Sequence, residues 1–151
     1  MARLTPRLTP RLTLPVLVTR YAAFAALATL VNLGAQRVVL HFGAGPWVYG
    51  LAVIAGTGAG LVLKYALDKK WIFYDVTAGA KAQGGQFALY TAMGLITTAI
   101  FWASETAFWL AAHTHSARET GAVLGLAVGY GVKYRLDRRF VFTDAALGRQ
   151  A

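Results

Sequence analysis

The sequence predicts an all-α membrane protein, with four transmembrane helices forming two parallel two-helix repeats about a pseudo-two-fold axis along the membrane normal. Three observations lead there. Hydrophobic residues make up 57% of the 151-residue chain, above the ~45–50% of an ordinary water-soluble domain. Four long apolar runs carry the excess: Tyr21–His41, Trp47–Leu67, Phe87–Ala112 and Thr120–Leu136. Residues 64–75, KYALDKKWIFYD, return 69 positions later as KYRLDRRFVFTD, so one charged segment closes two successive pairs of runs.

The chain opens on RLTPRLTPRLTLP, whose prolines oppose helix and favour an extended basic arm over residues 1–17. A charged arm before an apolar run also resembles a secretory signal, but the first run has a counterpart in the third, which favours a retained segment. Each run approaches or exceeds the ~17–25 residues that a helix needs to cross ~30 Å of hydrocarbon. Backbone polar groups in lipid must be satisfied within their own segment, so each run is read as a helix. The transmembrane domain then covers residues 18–144, with repeat one at 20–75, repeat two at 89–144 and a C-terminal tail at 145–151.

The net charge of +9 is sorted by face. Arg3, Arg7, Arg11 and Arg20 precede the first run; Lys64, Lys69, Lys70 and Lys81 flank the middle connection; Lys133, Arg135, Arg138, Arg139 and Arg149 follow the fourth. These are 13 of the 15 Lys and Arg residues, and only Arg37 and Arg118 lie toward the other side. Such a bias marks the cytoplasmic face, placing both termini there and directing the basic surface to anionic lipids rather than to nucleic acid. With no cysteine, disulfides and thiolate chemistry are excluded. His113-x-His115 lacks further ligands at metal spacing, so no metal site is expected.

At the 69-residue offset, Arg20–Asp75 falls on Leu89–Asp144 without a gap. Tyr21 meets Tyr90, Gly56 meets Gly125 and Gly60 meets Gly129, while Lys64, Tyr65, Leu67, Asp68, Phe73 and Asp75 recur identically. Two runs per unit return the chain to its starting side, which makes the repeats parallel. Small residues step by four along both second helices, through Gly56 and Gly60 and through Gly125 and Gly129. Such a ridge either lets two backbones pack closely or offers a groove to a lipid tail.

Lys64 and Lys133 stand at the edge of the hydrocarbon, with Asp68 and Asp137 at i+4, where a helix brings opposite charges into reach. On one helix this is a snorkelling lysine with a paired acid. Written twice, and followed by Lys69, Lys70, Arg138 and Arg139, it is expected to form one basin of cations. A lipid phosphate suits such a basin, held bidentately by Arg and as a point charge by Lys. The tails Trp71-Ile72-Phe73-Tyr74 and Phe140-Val141-Phe142 suit either an interfacial aromatic belt or two short paired strands. Toward the other side, Asn32 and Gln36 share a face of the first run, Arg37 adjoins them, and the repeat register sets Glu105 at the place of Gln36. Glu105 either pairs with Arg37 or joins Asn32 and Gln36 in a polar passage for sugar hydroxyls.

Four spans in about 130 residues, the Arg20-Tyr21 entry, Asn32, and two helices ending in KKWIF and RRFVF resemble the GtrA-like family of small four-helix bacterial membrane proteins, over about Val18–Asp144. The resemblance implies binding and translocation of a polyprenyl-phosphate-linked sugar across the bacterial inner membrane, for cell-envelope polysaccharide synthesis or glycosylation. Carried over by position, the cationic tail is Lys69, Lys70, Arg138 and Arg139, and the amide of the first span is Asn32. A second role is implied too: a membrane anchor or assembly partner of a polyprenyl-phosphate glycosyltransferase, without transport. Four-helix multidrug exporters are similar in size, but their essential acid lies in the first span, where this chain has none. No nucleophile–base pair or paired catalytic carboxylates stand out, so neither an enzyme nor a cofactor is expected. Four short helices make a thin wall around a polyprenyl lipid, so a homodimer is a further expectation.

Overall fold

The computed structural model describes residues 12–75 and 78–142. Arg3, Arg7, Arg11, Asp144, Arg149, the arm up to residue 11 and the tail at 145–151 lie outside them. The chain divides into two compact units, Met1–Val76 and Thr77–Ala151. Within each, the described residues form a helical hairpin.

Hairpin one is α1, Leu14–His41, followed by α2, Pro46–Trp71. α1 starts inside the stretch expected to be arm, with Pro15 in its first turn. Proline is tolerated there because the missing N–H would have no intrahelical partner and its fixed φ already suits a helix. The turn between the helices relies on Gly45, at φ 113°, a left-handed conformation open mainly to glycine. Hairpin two is α3, Ala80–Ala112, and α4, His115–Leu136, extended by a π-helical turn over Asp137–Val141. α3 begins before the expected Phe87, because Gly84 and Gly85 are absorbed into the helix. Thr114 caps α4, its hydroxyl accepting the Ala117 N–H at 3.2 Å.

α1, α2 and α3 are long and apolar enough to cross a membrane. α4 does not reach that standard, against the expectation of four spans. Arg118 and Glu119 at one end and Lys133 and Arg135 at the other leave only Thr120–Val132 uncharged, and four glycines dilute that stretch.

The packing within each hairpin is close at the glycines. A Cβ on Gly56 would lie 2.6 Å from the Asn32 carbonyl oxygen, and one on Gly60 would lie 2.7 Å from that of Ala28. In hairpin two, Gly125 faces Ser104 and Phe101, and Gly129 faces Thr97 at 2.9 Å. The ridge of each second helix is therefore filled by the first helix of its own hairpin. Side chains are sorted opposite to those of a water-soluble domain. Leu30, Ile54, Leu95 and Val123 point outward, whereas Asp68, Gln86, Lys133 and Asp137 are buried.

The aromatic tails form no strand among the described residues. The N–H groups of Ile72 and Phe73 both return to the Asp68 carbonyl at 3.0 Å. Phe142 N–H returns to Asp137 at 2.7 Å. Helix-type bonds reaching five residues back thus take the donors that a strand ladder would have needed.

Candidate functional site

At the charged end of hairpin one, helix spacing sets Asp68 one turn beyond Lys64. The ammonium meets the carboxylate at 2.7 Å, and the Tyr21 ring, supplied by α1, lies 4.7 Å from it. Hairpin two repeats the arrangement more tightly. Lys133 Nζ is 2.5 Å from Asp137 and 3.6 Å from the centre of the Tyr90 ring. Both carboxylates are fully buried, and both cations are mostly so. A buried charge is tolerated only when it is paired, and the ring's negative face adds a second attraction from the opposite direction. Each lysine is thus enclosed in a clasp that joins the two helices of its hairpin.

A latch lies beside each clasp. Arg20 donates to the Trp71 carbonyl and, at 2.6 Å, to the Tyr74 hydroxyl. In hairpin two, buried Gln86 donates to the Val141 carbonyl at 3.0 Å. The remaining cations lie further out, among aromatic rings. Lys70 sits 4.5 Å from the Trp71 ring and Arg139 sits 5.5 Å from Phe140, both exposed. Lys69 is half-buried near Asp75 at 3.9 Å, and Arg138 donates to the Tyr134 hydroxyl at 2.8 Å. Lys64 and Lys133 are thus each turned into their own hairpin, while Lys70 lies open at the rim of hairpin one and Arg139 at the rim of hairpin two. A cation beside an aromatic ring suits the headgroup layer of a bilayer.

A family model described as GtrA/DPMS, transmembrane domain, matches residues 20–142. The chain belongs to that family. No curated protein matches it. As a GtrA/DPMS transmembrane domain with three helices of spanning length and composition, it is a multi-pass membrane protein. The match covers both clasps, both latches, the rim cations Lys70 and Arg139 and their neighbours Lys69 and Arg138, and leaves out the N-terminal arm.

The polar residues of the opposite half are divided between the hairpins. Gln36 donates to the Asn32 side chain at 2.7 Å, and both stand against the notch at Gly56. Arg37 is exposed. Glu105 has a charged neighbour within its own hairpin, Arg118 at 3.6 Å, a partner that neither of the two alternatives read from the sequence had named. Turning the chain at His113 and Thr114 brings the first turns of α4 back beside Glu105, a closure that spacing along α3 alone does not show.

Sequence reasoning missed three kinds of participant here. The clasp rings Tyr21 and Tyr90 did carry a signal, since tyrosine recurs at the repeat offset. Arg20 stands out in the sequence as a topology charge and as part of the Arg20-Tyr21 entry, without an indicated partner at the end of α2. Gln86 and Arg118 gave no signal of these contacts, because their roles depend on which faces of two helices meet.

Proposed function

We propose that this GtrA/DPMS domain binds a polyprenyl-phosphate-linked sugar and translocates it across the bacterial inner membrane, with both termini cytoplasmic. One observation carries the reading: each second helix ends in a neutralised, buried Lys–Asp clasp, beyond which an exposed cation lies beside an aromatic ring. The clasp fixes the helix end, and the rim meets the headgroup. In each hairpin the rim cation, Lys70 or Arg139, with Lys69 or Arg138 behind it, supplies charge and hydrogen bonds to a phosphate, and the adjacent ring lies where the prenyl chain enters the hydrocarbon. Lys64 and Lys133 act here by holding the helix ends rather than by touching the phosphate. The recurring clasp and the matched glycine contacts also support two parallel repeats about a pseudo-two-fold axis. α4 serves as the fourth span once its charged ends reach the two interfaces.

The test is binding of a C15 prenyl phosphate to detergent-purified protein, followed by native mass spectrometry. Lys70→Ala combined with Arg139→Ala is expected to weaken binding by at least tenfold at low salt and to flatten its salt dependence. Unaltered binding in that variant would remove the rim from the site. Absence of binding in the wild type, together with stable co-purification of a glycosyltransferase, would favour the partner role over transport.

A further inference from the structure

We propose that the end of hairpin two opposite the cationic rim carries a carbohydrate subsite formed by Glu105, Thr106, Trp109 and Arg118. This rests on the lipid-linked-sugar reading above and names where the sugar is met. The four residues line one open cleft of about 230 Å³ between α3 and the start of α4. That volume is below the ~300–1,000 Å³ of pockets for drug-sized ligands and suits a single small ring.

The chemistry of the lining is selective. A carboxylate accepts two sugar hydroxyls, a guanidinium donates to ring and hydroxyl oxygens, a threonine hydroxyl does either, and an indole offers an apolar face to the C–H side of a pyranose. Glu105 and Arg118 approach at 3.6 Å through one Nε–Oε1 contact, longer than a hydrogen bond, and both are partly exposed. So loose a pair stabilises a hairpin little and leaves both groups able to turn toward a hydroxyl. Trp109 is steadied from outside the cleft by two imidazoles: His113 meets its ring edge-on at 6.0 Å, and His115 lies tilted at 5.9 Å. An indole serving only as an interfacial anchor requires neither the acid nor the guanidinium beside it. At the matching positions hairpin one has Gln36, Arg37, Leu40 and Tyr49, so the constellation belongs to hairpin two alone.

Fifteen residues of α4 separate Arg118 from Lys133, about 22 Å along a helix rising 1.5 Å per residue. A headgroup bound at the rim is therefore remote from this cleft. The subsite acts on the sugar after it has reached the other side, giving the exit face a preference for glycosylated over bare carrier.

The experiment compares dissociation constants for a C15 prenyl phosphate and for the same lipid bearing a hexose, in detergent, for the wild type and for Trp109→Ala, Trp109→Phe and Glu105→Gln. The hexose lipid is expected to bind the wild type about tenfold more tightly, the scale of one stacked ring and one net hydrogen bond. Trp109→Ala should erase that increment without changing affinity for the bare phosphate, which also reports an intact fold. Trp109→Phe should restore most of it, and Glu105→Gln should reduce it. Equal binding of the two lipids by the wild type, or an increment that survives Trp109→Ala, overturns the subsite and leaves the rim intact. If neither lipid binds, the proposed function fails and the subsite with it.

Discussion

Hairpin one holds its buried cation with Tyr21 at 4.7 Å and leaves the Lys64 side chain 13% exposed; hairpin two holds Lys133 with Tyr90 at 3.6 Å and leaves it 7% exposed. The latches differ in kind as well as in tightness: hairpin one uses a charged arginine, and hairpin two a neutral glutamine. The three groups of the clasp are chemically unchanged between the hairpins, whereas the latch is not. This follows from what each must offset. A lysine enclosed between helices needs a full opposite charge, so few substitutes exist. A single carbonyl needs one donor, which any reachable N–H can supply.

That contrast predicts the largest effect for breaking the tighter clasp. Asp137→Ala removes the carboxylate 2.5 Å from buried Lys133, a change that costs about 3–5 kcal/mol in buried pairs. The thermal midpoint in detergent should fall accordingly. Asp68→Ala should cost less, because Lys64 reaches solvent more readily. Lys133→Met combined with Asp137→Leu should be milder than Asp137→Ala alone, since removing both charges together leaves none stranded. Equal losses for Asp68→Ala and Asp137→Ala would remove the distinction between the hairpins.

Next come the glycines. Gly125→Ala puts a methyl 2.8 Å from Ser104 Cβ and 3.1 Å from the Phe101 backbone. Overpacking of this kind costs about 1–3 kcal/mol. Gly58 lies on the open face of the other hairpin's second helix, turned away from the packed Gly56 and Gly60, and a Cβ there meets nothing within 4 Å. Gly58→Ala should be neutral or stabilising by up to about 1 kcal/mol, as removing a helical glycine predicts. The thermal midpoint should fall for Gly125→Ala and hold or rise for Gly58→Ala.

Much of this was legible beforehand. Four helices follow from runs of apolar residues, and a Lys followed by Asp at i+4 declares its own pairing. The clasp tyrosines were half legible through their recurrence. The helix starts were not, because Pro15 reads as a breaker until its place in a first turn is known, and because Gly84 and Gly85 read as loop. The endings misled for a related reason. Trp-Ile-Phe and Phe-Val-Phe have the composition of strands, but both segments directly follow a helix whose last carbonyls, at Asp68 and Asp137, still lack donors. The Glu105–Arg118 pairing stayed hidden because it depends on hairpin register, which no spacing within one helix encodes.

The latches should show intermediate effects. Gln86→Ala removes a buried donor from the Val141 carbonyl and should cost about 1 kcal/mol, the net worth of one such bond. Arg20 bonds at a more open edge, so Arg20→Ala should cost no more, with solvent replacing part of what is lost. Thermal midpoints rank the two, and a larger loss for Arg20→Ala would mean that its bond to Tyr74 organises the end of α2.

The smallest effect on stability is expected at Glu105. Its contact with Arg118 is long and half open to solvent, so Glu105→Gln should shift stability by no more than about 0.5 kcal/mol. The comparison with Asp137 is then informative in itself. Both are acids on apolar helices beside a cation, but one is enclosed and the other stands at a cleft. An acid whose loss leaves the fold unmoved is not kept in place by packing. A drop in thermal midpoint for Glu105→Gln approaching that of Asp137→Ala would instead make the pair a third structural clasp, and its place at the cleft would be incidental.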